Sequence, residues 1–199
     1  MSEPGAVGYD LVVVGTSWGG LAALRMLVSG LPKSFGMAVA LVQHRHKDSD
    51  ELLRNLLQER TALDVCEIED KMPLEQGRVY LAPPDYHTIV ERGHFSLSTE
   101  APVRFSRPSI DVAFLSAADS YGHRAVGVVL TGANADGSAG LKRIFDRGGL
   151  ALIQDPRTAE SGLMPSSAAR AVPRARVMPL EELIRYLAVL PTATTGREQ

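Results

Sequence analysis

The sequence predicts an α/β domain, with a doubly wound, mostly parallel sheet, helices on both faces and an inserted antiparallel β-hairpin. Strand-like apolar runs alternate with helical patterns along most of the chain, which is typical of this class. The runs at 10–14, 37–43 and 125–131 are apolar nearly throughout, as expected of parallel strands that helices cover on both sides. Alternating residues at 87–91 and 94–98, around a turn at Arg92-Gly93, predict the hairpin.

The remaining elements follow from local patterns. Short strands are predicted at 78–82 and 150–154, where apolar residues cluster. Periodic apolar positions and end signals predict helices over 19–29, 49–59, 109–121, 138–147, 165–171 and 180–189. We expect one domain over 10–190, with an N-terminal tail at 1–9 and a disordered C-terminal tail at 191–199.

Composition narrows the class of protein. The 199 residues are 45% hydrophobic, enough for one domain with a full core, and the formal charge of −2 gives no basic stripe for nucleic acid. The single cysteine, Cys66, excludes an internal disulfide and a cysteine-based metal site, which fits a reducing cytosol. No signal sequence or membrane-length apolar run is present, so we expect a cytoplasmic protein without membrane insertion, and we expect no cofactor and no metal.

The most informative motif is the segment LVVVGTSWGG, in which an apolar strand stops at Gly15 and a helical pattern restarts after Ser17. In the pattern Gly15-x-Ser17-x-Gly19 the glycines allow a sharp turn that presents the serine hydroxyl at the carboxyl end of the sheet. The following helix aims unpaired N–H groups at the same place, where they could stabilise an oxyanion. A turn without chemistry and a degraded dinucleotide-binding fingerprint are the alternatives.

A serine nucleophile needs a base and a group that orients it. His44 follows the second apolar run and should emerge beside Ser17, whereas His46 is a competitor that belongs more naturally to a solvated turn. Asp136 lies in the loop after 125–131, at the same edge of the sheet, and could orient the imidazole or cap the helix that begins near Gly137. Asp111, in the first turn of a predicted helix, is a weaker candidate that could simply complement the helix dipole.

The order serine, histidine, aspartate differs from that of the α/β-hydrolases, in which the acid precedes the histidine. Five segments occur instead in a characteristic order: VVVGTSWGG, LVQHRH, VYLAPPDYH, RPSIDVAF and AVGVVLTGANADGSAGL. With these motifs the chain resembles the catalytic domain of the chemotaxis receptor methylesterases, the CheB family, from about Leu11 to Leu190.

This resemblance implies a protein-glutamate methylesterase without a cofactor. Family members hydrolyse γ-glutamyl methyl esters on the cytoplasmic helices of chemoreceptors, releasing methanol, and some deamidate glutamine there. Carried over by position, the nucleophile falls on Ser17, the base on His44 and the orienting acid on Asp136. The oxyanion hole falls on the backbone N–H groups of Trp18 and Ala133.

The chain departs from the family pattern at three places. Only about ten residues precede the first strand, so we expect a stand-alone form without a receiver domain, controlled if at all by a separate regulatory protein. Trp18 and Ala133 replace residues common at the oxyanion positions, and Trp18 could pack on the helix or form a pocket wall. The charged run Arg45-His46-Lys47 follows the base and is either a solvated face or a docking site for an acidic partner.

Two alternatives to catalysis stay open at this point. The chain could be a catalytically idle or regulatory partner-binding domain, or a phosphate- or nucleotide-binding module that uses the glycine-rich turn. Two neighbouring segments receive no catalytic role. Arg107-Pro108-Ser109 could line the cleft, and His87 is either a structural histidine or part of the cleft.

Overall fold

The structure, a computed structural model, describes residues 8–45 and 52–193. Seven strands form one sheet in the order β3-β4-β2-β1-β7-β8-β9, and all of its pairs are parallel. The strands are β1 (Leu11–Thr16), β2 (Ala38–Gln43), β3 (Asp64–Glu67), β4 (Arg78–Leu81), β5 (His87–Glu91), β6 (His94–Ser98), β7 (Ala125–Val129), β8 (Leu150–Gln154) and β9 (Arg176–Met178). The helices are α1 (Gly20–Gly30), α2 (Leu52–Gln58), α3 (Ile110–Tyr121), α4 (Ser138–Asp146), α5 (Leu163–Ala171) and α6 (Leu180–Ala188).

Helices cover both faces of the sheet, as predicted. Side chains of α3, α4 and α5 pack in one apolar cluster with one set of strand residues, and those of α1, α2 and α6 pack in a second cluster with the alternate set. The antiparallel pair β5–β6 also forms as predicted, with Val90 and Phe95 in the α3 cluster. The predicted fold class is therefore confirmed.

Two strands of the large sheet were not predicted. Both β3 and β9 lie at its edges, are four and three residues long, and carry exposed positions. A short edge strand is covered incompletely, so its sequence lacks the continuous apolar run of a central strand.

Only the inner ends of the two predicted tails belong to the described residues. Residues 1–7 and 194–199, most of the two predicted tails, lie outside the described residues, as do positions 46–51, which include the start of the predicted helix 49–59. At the inner ends of the tails, Tyr9 and Thr192 form an isolated parallel bridge.

The strand order places β1 at the point where the connections change direction. Its neighbours are β2 on one side and β7 on the other, so three carboxyl ends meet at one edge. In doubly wound sheets ligands bind in the crevice at this position. The chain segments after β1, β2 and β7 are those that carry Ser17, His44 and Asp136.

Gly15 allows α3 to approach the central strand closely. A Cβ at this position would lie 2.3 Å from Cγ2 of Ile110 in the first turn of α3, a distance that no real packing tolerates.

We therefore expect Gly15→Ala to lower the free energy of unfolding by about 2–3 kcal/mol, measured by urea denaturation. Gly93→Ala is the control, because no atom lies within 4 Å of its added Cβ and only its φ of +81° opposes the change, at about 1 kcal/mol. Equal losses for both variants would contradict this explanation.

Candidate active site

Ser17 lies in a strand–turn–helix elbow, as its sequence motif predicts. The backbone N–H of Ser17 donates to the carbonyl of Thr131 at 3.0 Å, and the carbonyl of Ser17 accepts from the N–H of Gly20 at 2.9 Å. Gly19 closes the turn with φ 76°, a left-handed conformation that glycine adopts at low cost. The serine is thus held where β1 ends and α1 begins.

The structure brings the three predicted residues together in one chain of hydrogen bonds. The Nδ1 atom of His44 lies 3.1 Å from Oγ of Ser17, and its Nε2 atom lies 2.8 Å from Oδ2 of Asp136. The main chain of His44 is held beside β1 as well, since its backbone N–H donates to the carbonyl of Thr16 at 3.2 Å. His46, the competing histidine, lies outside the described residues.

Asp136 is fully buried and has all its acceptor capacity engaged. Oδ2 accepts from His44 and from the N–H of Ile110 at 2.7 Å. The donors to Oδ1 are Ser109 Oγ, the Asp111 N–H and the Gly137 N–H. The carboxylate therefore caps the N-terminus of α3.

This finding corrects one interpretation of Asp136 from the sequence. The alternative role predicted for it was to cap the helix that follows it, but the N-cap of α4 is Gly137, without a side-chain cap. The carboxylate instead receives N–H groups of α3, which crosses beside it because Gly15 leaves room. The helix dipole and the N–H donors both favour the ionised carboxylate.

The pKa values of the two neighbouring aspartates shift in opposite directions. Burial disfavours the charged form of Asp136, but hydrogen bonds from His44 and from the N–H groups of Asp111 and Ile110 outweigh it, so the pKa is lowered. For Asp111 burial raises the pKa, opposed by the N–H of Gly140 and reinforced by the charge of Asp136. Asp111 bonds to α4 through that N–H at 2.7 Å, and does not contact His44 or Ser17.

A cleft of about 590 Å³ opens beside Ser17 and His44. Trp18, Leu21, Arg25, Gln43, Ala133 and Glu160 are among its lining residues. Trp18 is 66% exposed, so the structure favours a pocket wall over packing on the helix. Within residues 8–45 and 52–193, the N–H groups of Trp18 and Ala133 have no hydrogen-bond partner and remain available to a ligand.

Two further sequence expectations receive an answer. The charged run after the base is not a solvated face at Arg45, whose side chain is only 4% exposed and pairs with Glu67 at 3.4 Å. Lys47 lies outside the described residues. His87 is a structural histidine, because Nδ1 accepts from the N–H of Ser109 and Nε2 donates to the Ala101 carbonyl, both at 3.2 Å.

Sequence reasoning missed Asn134, and it gave Ser109 only a place in the cleft lining, without a contact to Asp136. Asn134 Nδ2 lies 3.1 Å from His44 Nδ1, and Ser109 Oγ donates to Asp136 at 3.0 Å. The spacing Asn134-x-Asp136 is a signal that Asn134 takes part in this loop, because asparagine side chains commonly bond the backbone two residues on. No local pattern indicates the contact between Ser109 and Asp136, since Ser109 reaches the carboxylate only through the packing of α3.

Across the part of the chain that the structure describes, no three His, Cys, Asp or Glu side chains are grouped so that they could hold a metal ion. In the same residues, none of the helices combines the length and the apolar composition that a membrane span requires.

Comparison with known proteins agrees with the topology and the motifs. The family model described as CheB methylesterase matches residues 12–187. The chain belongs to the CheB methylesterase family. The fold matches the crystal structure of the Thermotoga maritima CheB methylesterase catalytic domain with a TM-score of 0.87 and 30% identity, covering 92% of this chain and 98% of that one.

The relatives differ in the share of their own length that this chain matches. A Leptospira interrogans protein, provisionally named protein-glutamate methylesterase/protein-glutamine glutaminase, is 43% identical over 88% of this chain and 91% of its own length. Protein-glutamate methylesterase/protein-glutamine glutaminase 2 of Anaeromyxobacter dehalogenans is 39% identical over 92% of this chain. Protein-glutamate methylesterase FrzG of Myxococcus xanthus is 35% identical over 88% of this chain. The matched region spans about half of each of these last two relatives, 53% in both.

Proposed function

We propose that the protein is a serine hydrolase that removes γ-methyl esters from glutamates of chemoreceptors and deamidates glutamines at the same sites. The observation that carries this proposal is the hydrogen-bonded chain Ser17–His44–Asp136 at the mouth of a cleft. The names of the relatives support the substrate class. The residues 10–190 form the proposed catalytic domain, acting in the cytoplasm on the methylated receptor helices.

The proposed reaction is acyl transfer through Ser17. Oγ attacks the ester carbonyl carbon while its proton passes to Nδ1 of His44, 3.1 Å away. The oxyanion accepts hydrogen bonds from the N–H groups of Trp18 and Ala133. His44 then returns the proton to the departing methanol. Water, activated by the same nitrogen, hydrolyses the acyl-enzyme to release glutamate.

Asp136 has two tasks in this proposal. It accepts the Nε2–H of His44, which leaves the Nδ1 lone pair directed at Ser17, and it stabilises the imidazolium that forms when Nδ1 takes the proton. Its anchoring by α3 fixes the carboxylate, so little reorganisation is needed during proton transfer.

Methanol release from methylated receptors tests the substrate class. Purified protein should release methanol from receptor membranes carrying labelled methyl groups. Absence of release from several methylated receptors, with protein shown to be folded, would contradict it. If a phosphonate still labels Ser17 in that case, the chain is a hydrolase with another substrate. If the phosphonate also fails, an idle partner-binding domain or a phosphate-binding module becomes the better explanation.

Trp18→Ala is expected to weaken substrate binding with little change in kcat. The indole is 66% exposed at the cleft, so its removal costs binding contacts, with a rise in KM of about 5- to 20-fold. The free energy of unfolding should change by less than about 0.5 kcal/mol, as is usual for exposed side chains. Val189→Ala, at a position 78% exposed after α6, is the control. An unchanged KM for Trp18→Ala would contradict the role as a pocket wall.

A further inference from the structure

Asn134 contacts the base from the side opposite to Asp136. It lies in the loop between β7 and α4 and is half-buried. Its Nδ2 atom is 3.1 Å from Nδ1 of His44, and its Oδ1 atom accepts the backbone N–H of Asp136 at 3.0 Å. A single side chain thus links the base to the loop that carries the acid.

The orientation of this amide is fixed by its second hydrogen bond. Because the N–H of Asp136 can only donate, the atom of Asn134 that faces it must be the oxygen. The NH₂ group then faces His44, and it too can only donate. Nδ1 must therefore be unprotonated in the resting enzyme, and the proton of the neutral ring must reside on Nε2, facing Asp136.

We propose that Asn134 is a positioning residue for the reaction proposed above. It holds His44 in the Nε2–H tautomer, in which Nδ1 is unprotonated and can accept the proton of Ser17. Its two hydrogen bonds also connect the imidazole to the loop that contains Ala133. In the proposed reaction Ala133 supplies an oxyanion N–H. The proposal rests on the proposed function for its catalytic consequence, but the tautomer itself is a property of the free protein.

The contribution of Asn134 precedes proton transfer. Nδ1 has one lone pair, which the Asn134 amide and the Ser17 hydroxyl share at 3.1 Å each. When the proton of Ser17 moves to Nδ1, the amide loses its acceptor, so Asn134 does not stabilise the imidazolium. Its removal alone should therefore have a modest effect, because Asp136 still selects the same tautomer from the other side.

Two substitutions separate this role from simple packing. Asn134→Ala should lower kcat about 3- to 10-fold, a loss in the range of one hydrogen bond. Asn134→Asp keeps the size but replaces the donor by an acceptor, so that Nδ1 becomes protonated and can no longer take the proton of Ser17. We expect kcat to fall about 1,000-fold or more with KM within about threefold, as wrong-tautomer variants of catalytic triads do. Asn55→Asp, which adds the same charge on an exposed turn of α2, should leave both constants unchanged.

The test that needs no substrate is ¹⁵N NMR of histidine-labelled protein above neutral pH, with His44 assigned by its loss in His44→Gln. We expect unprotonated Nδ1 and protonated Nε2 in the wild type, and a protonated Nδ1 in Asn134→Asp. His87 is an internal reference, because it holds the Nε2–H form through Ser109 and Ala101 in every variant. A wild-type His44 in the Nδ1–H form, or an Asn134→Asp variant with unchanged tautomer and kcat, would overturn the proposal. Failure of methanol release alone would overturn the proposed substrate and leave this result intact.

Discussion

Replacement of Ser17 by alanine should abolish ester hydrolysis, with a fall in kcat of about a million-fold. Among the residues that the structure describes, the Ser17 hydroxyl is the only one in contact with Nδ1 of His44, at 3.1 Å, and it lines the same cleft as Trp18 and Ala133. Members of a catalytic triad act as a unit, so either Ser17→Ala or His44→Ala should remove nearly the whole effect. The measurement is the rate of methanol release under single-turnover conditions with methylated receptor.

The matched control for this prediction lies on α1, the helix that follows Ser17. Ser29→Ala removes an exposed hydroxyl that bonds only the carbonyl of Met26, at 2.9 Å, and should retain full activity. The double variant Ser17→Ala/His44→Ala should be no slower than Ser17→Ala alone. Retention of more than about one per cent of the wild-type rate by Ser17→Ala would show that another nucleophile operates.

Asp136→Asn should impair both catalysis and stability. An amide at this position turns a donor toward at least one of the N–H and O–H groups that the carboxylate now accepts, and it carries no charge to stabilise the imidazolium of His44. We expect kcat to fall about 10⁴-fold, the size of loss that replacing a triad aspartate by asparagine causes. The free energy of unfolding should fall by about 2–4 kcal/mol, because buried polar groups lose their partners. Urea denaturation and single-turnover kinetics measure the two effects.

The stability loss of Asp136→Asn should depend on pH. Burial opposes ionisation, but the hydrogen bonds from His44 and from the N–H groups of Asp111 and Ile110 prevail and keep the folded-state pKa below that of the unfolded chain, about 3.9. A carboxylate with a lowered pKa contributes stability above the unfolded-state pKa and loses it as the pH falls through the folded-state value. The difference between wild type and Asp136→Asn should therefore be largest near neutrality and shrink below about pH 4.

A pH-independent difference between the two proteins would contradict this assignment. Asp111 contributes with the opposite sign, because burial raises its pKa and its contribution is present at low pH and lost as the pH rises. Asp111→Asn is therefore the control: its effect on stability should vary with pH in the opposite direction, provided that the amide oxygen still accepts the N–H of Gly140.

The central strands and the site could be predicted because the same physical rule governs both. Strands β1, β2 and β7 are buried on both faces, and for this reason their sequences are continuous apolar runs. The carboxyl ends of parallel neighbours share one edge, so polar residues placed after these runs had to meet there. That inference located Ser17, His44 and Asp136 without knowledge of any side-chain distance.

Features that depend on packing between distant segments could not be predicted. The edge strands β3 and β9 owe their conformation to a neighbour on one side only. Arg45 belongs to a charged run, yet its side chain is buried against Glu67 and the carbonyl of Ala82. The capping of α3 by Asp136 joins residues 25 and 26 positions apart in sequence, and no local pattern encodes such a contact.

The most direct test of the central claim is labelling with an active-site phosphonate, followed by mass mapping of the modified residue. Phosphonates react with a serine only when a base activates it and an oxyanion hole receives the product, so the probe requires no knowledge of the receptor. We expect one phosphonyl group per folded chain, attached to Ser17, and none on Ser17→Ala or on the unfolded protein. A folded wild-type chain that stays unlabelled, or a label on a serine other than Ser17, would contradict the account.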